Sequence, residues 1–220
     1  MIEMVIQITE DALKYTKELF KKMDNEVELI AFTTKNHCLL CNELIEMVTK
    51  VAELSPKVKV TQCECETDSA EAKKYGIDKH PAIVVRGKKD FNVRFFGLQG
   101  GVEYGSFIET IVDASTGEPQ LQQATIEKIS QISELLHIQV FVTPTCPYCP
   151  QQVRLVHKLA MTNPNITGDM VEAMEFQELA MKYDVLGVPK TVINEKLHLE
   201  GAYPEPVFVE KVLEFLENKD

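Results

Sequence analysis

Two Cys-x-x-Cys pairs, Cys38-Leu39-Leu40-Cys41 and Cys146-Pro147-Tyr148-Cys149, are the residues of this chain best suited to chemistry, and they stand 108 positions apart. Each is followed at the same interval of 43 residues by a proline, Pro81 in one case and Pro189 in the other. A cysteine at the start of a helix has its sulfur beside unpaired backbone N–H groups and the positive end of the helix dipole, which favour thiolate over thiol. A second cysteine three positions on lies within one turn, near enough to attack a mixed disulfide. Taken singly, either pair also fits half a zinc site, a structural disulfide or two core thiols. The 104 residues between Cys41 and Cys146 far exceed ribbon or finger spacing, and no His-x-x-x-His follows, so zinc is disfavoured. Two copies in one register point to thiol–disulfide exchange.

The two pairs are not expected to be equivalent. Pro147 and Pro150 suit a first helical turn, where a missing N–H costs nothing, whereas Leu39 and Leu40 put no such restraint on the Cys38 loop. No acid adjoins Cys146, and Arg154 is the next charge along the chain; Glu43 follows Cys41 closely, and a nearby carboxylate raises a thiol pKa. His37 and His80, one beside Cys38 and the other beside Pro81, oppose that effect only when protonated, and they read equally well as exposed loop histidines. Cys146 is therefore the more acidic thiol expected near pH 7, with Cys38 gaining toward pH 6. His137, His157 and His198 form no constellation. Cys63-Glu64-Cys65 places two thiols on one strand face, and the 108-residue shift maps them to Val171 and Ala173, which reads as core thiols. A Cys63–Cys65 bridge, near the upper limit of disulfide geometry, is the alternative.

The elements that position these residues repeat as well. The first half reads as a helix capped by Thr9 with Leu13, Thr16, Phe20 and Met23 inward, a buried strand over 27–32, and a helix from Cys38. A strand over 58–65, a short helix over 70–75, a hairpin of 82–85 with 92–96 and a helix over 104–114 complete it. The second half gives the same order: a helix over 124–133, a strand over 138–142, the Cys146 helix, a strand over 170–174, a short helix, a hairpin and a last helix with Pro206 in its first turn. Helix and strand alternate, so the class is α/β. The Gly117-Glu118-Pro119-Gln120 joint divides the 220 residues into units of 1–117 and 118–220 packed against each other.

A net charge of −11 with no Lys/Arg cluster argues against nucleic acid as a partner, and no long apolar run suggests a membrane. The first residues, Met1-Ile2-Glu3-Met4-Val5, show no basic or apolar leader pattern, which gives the expectation of a cytoplasmic protein.

The order strand, CxxC at a helix start, helix, strand, helix, proline, hairpin, helix resembles the thioredoxin fold, and Cys-Pro-Tyr-Cys resembles the motif of glutaredoxins. Two such units, each with its own CxxC, resemble the protein disulfide oxidoreductases of thermophilic archaea and bacteria, often labelled glutaredoxin-like proteins. The resemblance covers essentially the whole chain. It implies two tandem thioredoxin-like domains, each a central mixed sheet flanked by helices. It also implies Cys38 and Cys146 as attacking thiols, Cys41 and Cys149 as resolving thiols, and Pro81 and Pro189 as cis-prolines, with His80 and Val188 offering backbone to substrate. The implied activity is thiol–disulfide exchange on protein disulfides and dithiols, with no bound cofactor or metal and with electrons from a thioredoxin-reductase-like flavoprotein. The alternatives are an electron-relay module of a peroxiredoxin reductase system, a family that keeps one CxxC of its two units, or a non-enzymatic module with structural disulfides or bound metal. The chain departs from thioredoxins in one respect. Phe32 and Val140 stand where thioredoxins carry a buried acid six residues before the first cysteine, so proton transfer to the resolving thiol needs another route.

Overall fold

The structure, a computed structural model, describes residues 8–36 and 38–218. Elements follow in two runs of the same order. The first is α1 (Glu10–Phe20), β1 (Val27–Thr33), α2 (Cys41–Ala52), β2 (Val58–Glu64), α3 (Ala70–Tyr75), β3 (Ala82–Arg86), β4 (Asp90–Phe96) and α4 (Glu103–Thr116). The second is α5 (Gln123–Ser130), β5 (Leu136–Val142), α6 (Cys149–Thr162), β6 (Ile166–Glu172), α7 (Gln177–Lys182), β7 (Lys190–Ile193), β8 (Leu197–Glu200) and α8 (Glu205–Glu217).

Local chemistry accounts for most boundaries. Thr9 caps α1 by accepting the Ala12 N–H, Glu10 and Asp11 sit at its positive end, and Thr16, Phe20 and Met23 are buried as the helical spacing predicts. Ser69 caps α3, and Gly76 ends it in the left-handed conformation. Pro206 lies in the first turn of α8. The sixth strand begins earlier than expected, at Ile166, because Asn163 closes the preceding turn by accepting the Ile166 and Asn165 N–H groups.

The expectation of one sheet per half is corrected. All eight strands form a single mixed sheet in the order β2-β1-β3-β4-β6-β5-β7-β8. Within each half the first two strands are parallel and the hairpin is antiparallel; the halves join where β4 pairs in parallel with β6, from Val93↔Gly168 to Phe96↔Val171. An unpaired strand edge carries a row of free backbone groups, and here the hairpin edge of the first half takes up the parallel edge of the second. At this seam Arg94 donates to Asp169 through Nε (2.7 Å) and Nη2 (2.8 Å), and His137 Nε2 lies 2.6 Å from the same carboxylate. His137 thus belongs to a constellation that its isolated place in the sequence did not suggest.

Both faces of the sheet are covered. One apolar cluster runs through both halves beneath α1, α2, α4, α5, α6 and α8, with Leu44, Phe95, Phe107, Val153 and Phe208 fully buried. A smaller cluster on the other face joins Phe32, Ile77, Phe96 and Phe141 beneath α3 and α7. Among the described residues no helix is long and apolar enough to cross a membrane.

Candidate active site: two cysteine turns

The second cysteine turn follows β5. Cys146 N–H donates to the Thr143 carbonyl (3.2 Å), and the chain then turns so that Cys149 opens α6 with Pro150 directly behind it. The helix begins at the second cysteine of each pair and not at the first, because residues 146–149 form a turn closed by Cys149 N–H on the Cys146 carbonyl at 3.4 Å. The helix dipole still acts on Cys146, since Cys149 N–H also lies 3.1 Å from Cys146 Sγ and aims a helix N-terminus at that sulfur. Cys146 and Cys149 are joined by a disulfide, Cα to Cα 5.5 Å. Cys149 is fully buried, Cys146 nearly so, and Tyr148 is 66% exposed beside them. The Val188 carbonyl oxygen lies 3.6 Å from Cys146 Sγ, and the Val188–Pro189 peptide is cis. Gly201 N–H holds the Pro189 carbonyl at 2.8 Å.

The first turn is looser. Cys38 is half-buried, Leu39 is 88% exposed, and Leu40 packs inward as the N-cap of α2 without a side-chain hydrogen bond. Cys41 is buried and bonded to Cys38, again with 5.5 Å between Cα atoms. The His80–Pro81 peptide is cis, and Gly97 N–H donates to the Pro81 carbonyl at 2.9 Å. His80 is half-buried and its pKa is lowered by that burial, against a smaller opposing pull from the Glu66 carboxylate. His37, the other histidine of interest, lies outside the described residues.

Two acids that sequence reading missed, Glu103 and Glu175, lie where the halves meet. Glu103, at the start of α4, is 1% exposed; its Oε2 accepts from Ser106 Oγ (2.6 Å), its Oε1 has no hydrogen-bond partner, and burial pushes its pKa up to about 7. Its helix is tied to the second cysteine turn, because Val102 N–H donates to the Pro144 carbonyl at 3.0 Å. Gly101, at φ 58°, is needed there, since a Cβ would collide with that carbonyl. Glu175, after β6, accepts the Leu98 N–H at 2.6 Å, one residue from the glycine that holds Pro81. Burial raises its pKa to about 7, and the carboxylates of Glu172 and of Glu43 in the first turn of α2 add to the rise. Gly97, at φ 88°, leaves room for it, because a Cβ would come within 2.7 Å of Glu172 and 2.9 Å of the Glu175 carboxylate. The legible signal for Glu103 was an acid on the same helical stripe as Phe107, Ile111 and Ala114; Glu175 sits in a loop and left none.

Arg154, the first charge after Cys146, turns away to α4, where Nη1 meets Glu109 and Nη2 meets Asp113 at 2.7 Å. Cys63 and Cys65 pack against the smaller apolar cluster as core thiols would, but both are only half-buried, and their sulfurs lie 2.9 Å apart. His157 is buried and held neutral, its pKa pushed down to about 3 by burial, and His198 is exposed against the Tyr183 ring. Among the described residues no group of three or more His, Cys, Asp or Glu could hold a metal ion.

Residues 136–214 match a family model described as a thioredoxin domain. The chain is 25% identical over 185 residues to the alkyl hydroperoxide reductase AhpF of Staphylococcus aureus, covering 84% of itself but only 33% of that protein, so it spans about a third of such relatives' length. The NTD_N/C domain of alkylhydroperoxide reductase AhpF from Enterococcus faecalis has the same fold, with a TM-score of 0.86 at 23% identity, covering 93% of this chain and 99% of that one. A protein disulfide oxidoreductase from Aeropyrum pernix superposes with a TM-score of 0.86 at 30% identity, over 94% of this chain and 93% of its own. With both cysteine turns, the α/β order and this near-complete match in hand, the chain belongs to the protein disulfide oxidoreductases.

Proposed function

We propose that both cysteine turns work as exchange sites, Cys38 and Cys146 attacking and Cys41 and Cys149 resolving, within two units of 1–117 and 118–220. The observation that carries this reading is the second turn. There the sulfur of Cys146 faces a helix N-terminus and the Val188 carbonyl, while Cys149 is closed off from solvent. The Cys146 thiolate attacks a substrate disulfide, forms a mixed disulfide and releases one substrate thiolate. Cys149, its proton passed to Glu103, then attacks Cys146 Sγ, restores the intramolecular disulfide and releases the second thiolate. The backbone of His80–Pro81 and Val188–Pro189 offers itself to an extended substrate segment. Run backward, the same steps oxidise a dithiol.

The substrates are protein disulfides and dithiols, and electrons come from a thioredoxin-reductase-like flavoprotein. Exchange-competent thiols persist in a reducing compartment, which favours the cytoplasm. A second reading, an electron-relay module for a peroxide-reducing flavoprotein, is favoured by the likeness to the alkyl hydroperoxide reductase AhpF. Insulin reduction by dithiothreitol tests the main reading: the chain should accelerate it, Cys146→Ser should remove most of the acceleration, and a Cys38→Ser, Cys146→Ser pair nearly all of it. Unchanged turnover in the double variant would sink it. Acceleration confined to a peroxiredoxin acceptor, with none on insulin, would favour the relay.

A further inference from the structure

Cys63 and Cys65 stand outside both cysteine turns, at the carboxyl end of β2. Cys65 N–H donates to the Thr33 carbonyl at 2.9 Å, so the ladder with β1 continues one residue past β2 and holds both thiols on one face. Their sulfurs are 2.9 Å apart, against about 2.05 Å in a disulfide. The gap closes with a shift of under an ångström. The equivalent position to Cys63 in the second half, Val171, is fully buried because β6 lies inside the sheet, whereas β2 is the sheet's edge. That leaves both residues only half-buried at the rim of the smaller apolar cluster, on an edge open to a partner. The flanking acids fasten the pair to the approach of Cys38: Glu64 meets Lys35 at 3.0 Å, and Glu66 accepts from Thr34 (2.7 Å) and Asn36 (3.1 Å).

We propose that Cys63 and Cys65 form a third thiol–disulfide couple, one that reduces disulfides directly at the sheet edge. Cys65 gives up its proton and attacks one sulfur of a partner disulfide; a Cys65 mixed disulfide forms and one partner thiolate leaves. Cys63 gives up its proton and attacks Cys65 Sγ, closing the Cys63–Cys65 bond and breaking the mixed one. Two electrons pass to the partner, whose two sulfurs leave as thiols carrying the two protons the cysteines lost. The order of attack agrees with burial and the Cys65 sulfur pushing the Cys63 pKa up to about 12.

The test uses the full chain with all four other cysteines replaced (Cys38→Ser, Cys41→Ser, Cys146→Ser, Cys149→Ser), so it stands apart from the two CxxC sites. After reduction and removal of reductant, this variant should convert one equivalent of oxidised glutathione per chain to thiol. The tryptic peptide holding both cysteines should then lose two hydrogens and resist alkylation. A parallel arm with insulin tells a protein disulfide from a small one as the preferred acceptor. Adding Cys63→Ser should trap a glutathione adduct on Cys65. No disulfide consumed in either arm, with both thiols still alkylated, overturns the couple; an adduct on Cys63 in the Cys65→Ser variant and none on Cys65 overturns the order of attack.

Discussion

At the residue scale the two turns differ in how much of the first cysteine is covered. Cys146 is 7% exposed and takes an N–H from its own helix start, while Cys38 is half-buried on a loop whose Leu39 projects into solvent. Mass spectrometry of Cys149→Ser after mixing with a disulfide substrate should therefore find a stable Cys146-linked adduct, and absence of that adduct would reverse the two roles. The acidity ranking gains from the histidine geometry. Burial lowers the His80 pKa, so the imidazole is neutral near pH 7 and its help to Cys38 starts below the ordinary histidine range, lower than the sequence alone indicates. Thiolate absorbance followed against pH in single-site variants should give Cys146 the lower midpoint; Cys38 titrating first at neutral pH would overturn the ranking. Sequence named all four of these cysteines and both prolines because their signals are local spacings. The acids escaped it because Glu103 and Glu175 sit at contacts between the halves that no local pattern encodes.

At the element scale, α4 and the β4–β6 seam bind the halves by charge as well as by apolar burial. Glu103 and Glu175 have folded-state values near 7, above the ordinary glutamate value of about 4.3 in an unfolded chain. Between those values the folded chain keeps protons that the unfolded chain has lost, so this pair costs stability as pH rises from about 4.5 through 7. The Asp169 carboxyl runs the other way: Arg94 and His137 outweigh its burial and hold its pKa down, so its contribution is present at neutral pH and is lost only as pH falls below the ordinary aspartate value. His157, held neutral by burial, opposes part of this, because between pH 5 and its ordinary value the unfolded chain binds a proton that the folded chain does not, and the thermal midpoint should on balance fall by roughly 5–10 °C from pH 5 to pH 8. Glu103→Gln should flatten part of that slope; an equal slope in the variant would remove Glu103 from the account. Asp169→Asn leaves Arg94 buried without its counter-charge and should cost about 3–5 kcal/mol in denaturant unfolding. The elements themselves were legible because caps, prolines and apolar periodicity fall where helices and strands do. The seam was not, since parallel pairing of β4 with β6 is a long-range choice between edges.

At the scale of the whole molecule the seam repeats the fold by translation: the hairpin edge of one unit meets the parallel edge of the next. Expressed alone, residues 118–220 would leave β6 as a bare edge and strip the cover from Met170, Val171 and His157. That fragment should unfold at lower denaturant than the intact chain or aggregate, and size-exclusion profiles with urea titration check it. A fragment as stable as the parent would argue that the halves gain nothing from their union.

The strand directions carry one more consequence. β1 and β5, which lead into the two cysteine turns, run the same way and lie four strand spacings apart, about 19 Å along the sheet. Twist accumulated over those four steps rotates one turn against the other by roughly 80–100°. No flat, rigid body can face both at once. A flexible client can, provided about six or more extended residues separate its reacting cysteines. For such a client the second encounter is intramolecular and gains the high effective concentration of a tethered group, while glutathione-sized disulfides visit one turn at a time. Avidity, and not the chemistry of either sulfur, would then separate long unfolded chains from small thiols.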